Sequence, residues 1–224
     1  MKQAKTRPQP QRIDTTAGDA DALGDEALLG RRKLALICSQ KCPGDVILKT
    51  YDFARLLRGS GLAIVSGFHS PIEKDCLPIL LRGPDPIIIV QAHRLSTSRL
   101  PTEWQKAIEA KRLLLLSPFV AAVSDRRRRS EIDATVLVRP NTAKRVTAEL
   151  AAERNRFVAA ISDEILVPFA APGSKTEALA LDLLASGKRV YTFSDRPGPL
   201  LDAGARLVPP DFFSASRAAI SPVD

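Results

Sequence analysis

Short apolar runs, each bounded by polar or small residues, recur along the chain with amphipathic stretches between them. The sharpest is Leu62-Ala63-Ile64-Val65, which stops at Ser66-Gly67 as a buried parallel strand does on reaching a sheet edge. Directly after it, Ser70, Pro71 and Glu73 stand at the spacing of an N-cap, a first-turn proline and a capping-box carboxylate, so a helix is expected to run on to Leu81.

The same alternation extends in both directions. Leu34–Cys38 is expected as a first strand, followed by the polar loop Ser39-Gln40-Lys41 and a helix carrying Val46, Ile47, Tyr51, Phe53, Ala54 and Leu57, which Gly59 and Gly61 end. Pro86–Val90 holds three consecutive isoleucines and reads as a third strand. Thr102 and Gln105 frame a capping box for a short helix, and Leu113–Leu116 is a fourth strand. Asn141 is expected to cap a helix reaching about Ser162, before a fifth strand at Glu164–Phe169. Ser174 to Glu177 open a further helix packed by Leu179, Leu183 and Leu184, and Arg189–Phe193 is a sixth strand. A short helix at Leu200–Ala203 and an apolar contact at Leu207 and Val208 close the pattern.

Strands alternating with helices predict an α/β fold, a Rossmann-like, doubly wound, mainly parallel sheet with helices on both faces. Residues 31–210 are expected to form one domain. Residues 1–30 lack apolar periodicity and turn from basic (Lys2, Lys5, Arg7, Arg12) to acidic (Asp14, Asp19, Asp21, Asp25, Glu26), so they read as a flexible polar tail, with a second tail at 211–224.

Charge narrows the function classes. The 224 residues carry a formal charge of +8 and a pI near 9.7, which favours a polyanionic partner such as nucleic acid over a small neutral ligand. The run Arg126-Arg127-Arg128-Arg129 reads either as a solvated stretch or as an arm that grips phosphates. Cys38, Cys42 and Cys76 lack CxxC spacing and read as structural thiols; His69 and His93 do not group with them, so neither metal nor cofactor is expected. No apolar run reaches membrane-span length, and the expectation is a cytoplasmic protein with no membrane partner.

In an open α/β sheet anions bind at the carboxyl ends of strands, beside helix N-termini. Lys41, Lys74, Arg154 and Lys175 are therefore the candidate phosphate cations, while Ser39, Ser66, Gly67, Ser70, Gly173, Ser174 and Thr176 offer short donors or close backbone approach. His69 either stacks on a base or covers its loop. Arg154 falls inside the apolar stripe of Leu150, Phe157 and Ile161, so its guanidinium must snorkel out, meet a carboxylate or face an anion-filled cleft. Arg156 projects about 200° away from Arg154 and belongs to a rim, a partner subunit or solvent. Ser174 and Glu177 read equally as a purely structural capping box. The stretch before Lys175 lacks the glycine of a Walker A loop, and Cys38-Ser39-Gln40-Lys41 replaces any GxGxxG fingerprint after the first strand, which disfavours hydride transfer.

The order Ile37-Cys38-Ser39-Gln40, Val65-Ser66-Gly67 with Ile72-Glu73, Leu115-Leu116-Ser117, Arg154-Asn155-Arg156, and Pro172-Gly173-Ser174 with Thr176 resembles the Rossmann-type domain of the DNA-processing protein A (DprA, or Smf) family. The Arg154-Asn155-Arg156 tripeptide, followed by a strand, is the most specific piece. The resemblance implies a protein of DNA processing, uptake or recombination that binds single-stranded DNA in a basic cleft, forms a homodimer and, in well-known members, hands the strand to the RecA recombinase. It adds Gln40 and Asn155 to the candidate site. Cys38 and Gln40 stand where the family has glycine and arginine, Glu73 where it has aspartate, and Pro118 where it has glutamate; these departures set recombinase loading apart from the expectation. Pro172–Glu177 also faintly resembles the PGGxGTxxE motif of LOG-type nucleoside monophosphate phosphoribohydrolases, with Leu179 in the place of their glutamate. The expectation is thus a non-catalytic binder of single-stranded DNA, with nucleotide sensing or phosphoribohydrolase activity as the alternative.

Overall fold

A computed structural model describes residues 9–95, 100–119 and 146–212. Nine strands form one sheet in the order β1-β2-β6-β5-β4-β3-β7-β8-β9. The parallel part comprises β3 (Lys33–Leu36), β4 (Ala63–Ser66), β5 (Ile87–Val90), β6 (Leu113–Ser117), β7 (Glu164–Leu166), β8 (Arg189–Thr192) and β9 (Arg206–Leu207). Among the described residues six helices connect them: α1 (Gly44–Leu56), α2 (Pro71–Leu81), α3 (Thr102–Glu109), α4 (Ala148–Ala160), α5 (Lys175–Ala185) and α6 (Pro199–Asp202).

Alternation along each strand builds two cores. Leu34, Leu36, Ile64, Ile87, Ile89, Leu113 and Leu115 face α1, α2 and α3, whereas Ala35, Val65, Ile88, Val90, Leu114, Leu116, Ile165 and Val190 face α4 and α5. With both faces covered, every residue of β4, β5, β6 and β7 is buried, which is why these strands read as continuous apolar runs. This is the doubly wound α/β architecture that the sequence pattern predicts.

The amino-terminal expectation is corrected. Residues 11–30 are not a tail: β1 (Gln11–Thr15) and β2 (Gly18–Gly24) form a hairpin that joins β6 antiparallel, followed by a 3-10 turn at Glu26–Gly30. Ala20, Ala22 and Leu23 are buried, and Gly24, at φ +126°, lies so close to Leu113 that a Cβ there would sit 2.3 Å from its carbonyl oxygen. The hairpin covers the β6 edge, which would otherwise expose a row of unpaired amides. A second correction concerns α3, where Pro101 rather than Thr102 precedes the first turn and Gln105 donates to the Leu100 carbonyl at 2.7 Å. Thr147 caps α4 by accepting from the Leu150 amide; Asn141 and Arg126–Arg129 lie outside the described residues. Among the described residues no helix is long and apolar enough to cross a membrane.

Candidate functional site

The chain lays down β3, β4, β5 and β6 side by side, then returns through α4 to place β7 on the other flank of β3. The connections after β3 and β7 therefore leave in opposite directions, and this switch point opens a crevice at the carboxyl ends of the strands. A cleft of about 900 Å³ occupies it, walled by the loop after β3, the start of α2, the inner side of α4 and the first turns of α5.

Ser39 closes the cleft floor. Its hydroxyl lies 3.3 Å from that of Ser174 and accepts from the Ala171 amide at 2.9 Å, joining the ends of β3 and β7. Cys38, also in the lining, is buried; its contact with the Cys42 thiol, reinforced by burial, raises its pKa, and the same contact lowers that of Cys42. Cys76 lies in the core, where burial pushes it up to about 12. All three cysteines are free.

Glu73 ties the walls together. Only 2% exposed, its carboxylate accepts from the Cys38 amide (2.9 Å), the His69 amide (2.9 Å) and the Ser70 amide (3.3 Å). The Ser70 capping box anticipated at α2 is formed, yet Glu73 also reaches across to β3, a contact no local spacing announces. At α5 Ser174 accepts from the Glu177 amide, and Glu177 in turn accepts from the Gly173 amide at 2.7 Å. Both helix starts thus have internal carboxylates on amides that a phosphate would use. The groups left facing the cleft from these two helix starts are side chains.

Arg154 is the unusual one. It is 4% exposed, and its Nε and Nη2 donate to one neutral acceptor, Asn155 Oδ1, at 3.1 and 2.8 Å. Among the described residues it makes no ion pair and Nη1 has no hydrogen-bond partner. Burial lowers its pKa, and the field of Glu73 only partly opposes this. Gly67 seats it: a Cβ on Gly67 would fall 2.3 Å from Arg154 Nε. Next to it Phe68 adopts φ +45°, unusual for a bulky residue, held by its amide donating to Ser66 Oγ at 3.0 Å and by burial of its ring.

The cleft brings together Ser39, Gln40, Lys41, His69, Ser70, Arg154, Asn155, Arg156, Ser174, Lys175 and Thr176. Arg156 is exposed on its rim. Ser66, Gly67, Lys74 and Gly173 are not in the lining: Ser66 is fully buried, Gly67 sits beneath Arg154, Lys74 is exposed beside the α2 start, and Gly173 serves the α5 cap. The charged residues of the described lining that sequence reasoning did not assign to the site are Glu73, Glu149, Glu153 and Asp182, so among the described residues four carboxylates stand against the four cations Lys41, Arg154, Arg156 and Lys175. Where a basic cleft was expected, the charges of the described lining balance. Glu149 lies 3.7 Å from Lys175, and with both side chains largely exposed the pair contributes little. Desolvation, with the charges of Arg154 and Lys74, lowers the pKa of His69. No group of metal-ligating residues occurs among the described residues.

No protein-family profile matches the chain, and no curated protein sequence does. Solved structures do. DNA processing protein A from Helicobacter pylori, described for its single-stranded DNA binding mode, superposes with a TM-score of 0.63 at 21% identity, covering 97% of this chain and 98% of that one. This is a DprA-like fold. DprA from Streptococcus pneumoniae agrees at a TM-score of 0.63 and 17% identity, over 98% of this chain and 76% of that one. The molybdenum cofactor carrier protein from Chlamydomonas reinhardtii follows at 0.45 and 13% identity, over 84% of this chain and 96% of that one, a looser likeness. In the DprA-like frame, Ser39, Arg154 and Ser174 come from three separate chain segments and meet at one switch point.

Proposed function

We propose that the cleft binds single-stranded DNA and that the protein serves a DprA-like role in DNA processing or recombination, without catalysis. One observation carries this reading: a buried guanidinium whose only hydrogen-bond acceptor among the described residues is a neutral amide lines a cleft at the topological switch point. Removing such a charge from water is costly unless an anion offsets it, and a phosphodiester entering the cleft supplies that anion. Lys41 and Arg156 flank the same phosphate path, while Gln40, Asn155, His69 and Thr176 offer hydrogen bonds or a stacking surface to a base.

The charge balance among the described lining residues favours a second reading, a pocket for one mononucleotide, in which the base contributes as much as the phosphate. The LOG-type hydrolase has less behind it. Leu179 lines the cleft where that motif has a glutamate, and Glu73 is already engaged by three amides. Homodimer assembly and a cytoplasmic location belong to the first proposal, and sedimentation of the free chain checks the dimer.

Fluorescence anisotropy of a labelled oligothymidylate at low salt, run beside a panel of nucleoside monophosphates, tests the assignment. Binding of the oligonucleotide that falls about tenfold in Arg154→Ala supports strand binding; equal affinity of both proteins removes Arg154 from the site. A melting shift with one nucleotide and none with DNA selects the mononucleotide pocket. Release of free base from AMP selects the hydrolase.

A further inference from the structure

The four carboxylates of the described lining are not equivalent. Glu73 is occupied by three amides, and Glu149 lies 3.7 Å from the Lys175 ammonium. Asp182 is exposed on α5. Glu153, one turn after Glu149 on α4, is half-buried in the cleft wall, and among the described residues its side chain has neither a hydrogen-bond partner nor an ion pair. A half-buried carboxylate has lost part of its hydration, so a donor brought to it is favoured.

The next residue supplies an independent sign of a ligand. Arg154 is 4% exposed and its Nη1 makes no hydrogen bond among the described residues. No enclosed side-chain nitrogen or oxygen among those residues lacks a partner, so Nη1 opens into the cleft that Arg154 lines. Successive side chains of a helix diverge by about 100°, so Glu153 and Arg154 reach apart within one cleft, as the base edge and the phosphate of one nucleotide do.

Between these polar groups the wall is apolar. Ala148, Ala151 and Ala152 of α4, with Ala178 and Leu179 of α5, line the same cleft. The α4 alanines stand at i, i+3 and i+4 and share one helix face, where short side chains leave room for a planar ring. A phosphate gains nothing from such a surface; a nucleobase, apolar on its faces and polar at its edge, does. The edge is selected by Glu153, because a carboxylate accepts hydrogen bonds and donates none. Thymine presents one imino N–H between two carbonyl oxygens, which repel a carboxylate. Cytosine and adenine present an amino group beside a ring nitrogen that is itself an acceptor. Guanine presents N1–H and the N2 amino group side by side, a donor for each carboxylate oxygen.

We propose that Glu153 is the specificity-determining residue of a nucleobase subsite between α4 and α5, and that the base it selects is guanine. The subsite rests on the nucleic-acid reading of the cleft and gives it what backbone contacts do not supply, a preference among bases.

The test uses the whole chain and single strands of about 8 nucleotides: all thymine, alternating thymine and guanine, and alternating thymine and hypoxanthine, which lacks the N2 amino group. Wild type is expected to bind the guanine strand about tenfold more tightly than the thymine strand, with most of that preference lost on the hypoxanthine strand. In Glu153→Gln, which keeps the shape but puts a donor in place of one acceptor, the guanine-to-thymine ratio should fall to about 2 or less. A merely structural role for Glu153 would weaken both strands alike and leave the ratio as it was, which overturns the proposal. Equal affinity of the wild type for guanine and thymine strands, with Arg154→Ala weakening both, also overturns the subsite and leaves strand binding standing. Should the wild type bind neither strand, GMP and TMP are the probes. A melting shift that is larger with GMP and is lost in Glu153→Gln keeps the subsite and removes the strand reading; no shift with either sinks both.

Discussion

Two buried charges at opposite ends of one sheet are treated in opposite ways. Glu164, at the amino end of β7, is met by Arg32 and Arg189; Arg154, at the carboxyl end of the sheet, is met among the described residues by the neutral Asn155. The first is a finished structural contact, since a buried carboxylate left without a cation would destabilise the domain. The second is an unfinished contact inside a cleft. That contrast between the two ends is what the proposed ligand site at Arg154 rests on.

Removing each tie in turn tests that contrast. The largest loss is expected from Glu73→Ala, which leaves the Cys38, His69 and Ser70 amides without their acceptor; urea unfolding should show a loss of about 3 kcal/mol or more. A loss below about 1 kcal/mol would mean that Glu73 does not hold the walls together. Glu164→Gln should cost about 2 kcal/mol, less than a fully buried pair because Arg32 is 35% and Arg189 53% exposed. If it left stability unchanged, the amino-end network would not be the structural partner in the comparison.

Gly67→Ala acts at the cleft end only. The new methyl must displace the Arg154 guanidinium, so oligonucleotide affinity should fall about fivefold while the unfolding midpoint moves little. Unaltered affinity would show that the seat of Arg154 is immaterial to binding. The smallest effect is a pH dependence. His69 is held below its ordinary pKa and is neutral at pH 7 in the free protein; a phosphate beside it favours the imidazolium, so binding takes up a proton. Affinity should therefore rise about two- to threefold as pH falls from about 7.5 through about 6, and His69→Gln should flatten that rise. A rise that persists in the variant would assign the proton elsewhere.

The parallel core was legible because buried strands such as Ile87–Val90 and Leu113–Ser117 read as apolar runs between polar loops. The β1–β2 hairpin was not. Its inward positions include Ala20 and Ala22, too small to stand out, and its partner β6 lies far along the chain, so only tertiary pairing identifies it. At the site, Ser39 and Ser174 were readable as loops following strands, and Arg154 as a cation in an apolar stripe. Glu149, Glu153 and Asp182 escaped because their approach to the cleft depends on how α4 packs against α5. Glu73 looked like a local cap, and only the proximity of β3 and β4 turns it into a tie between loops.

The most direct test pairs two readings on Arg154→Met, which keeps the apolar stem and deletes the charge. Urea unfolding should change by no more than about 1 kcal/mol, in either direction, because among the described residues the guanidinium has no ion pair to lose. Anisotropy with a single-stranded oligonucleotide at low salt should show about a tenfold loss of affinity. A protein that binds DNA as tightly as before, or one that loses several kcal/mol of stability, would contradict the claim that Arg154 is kept for a ligand.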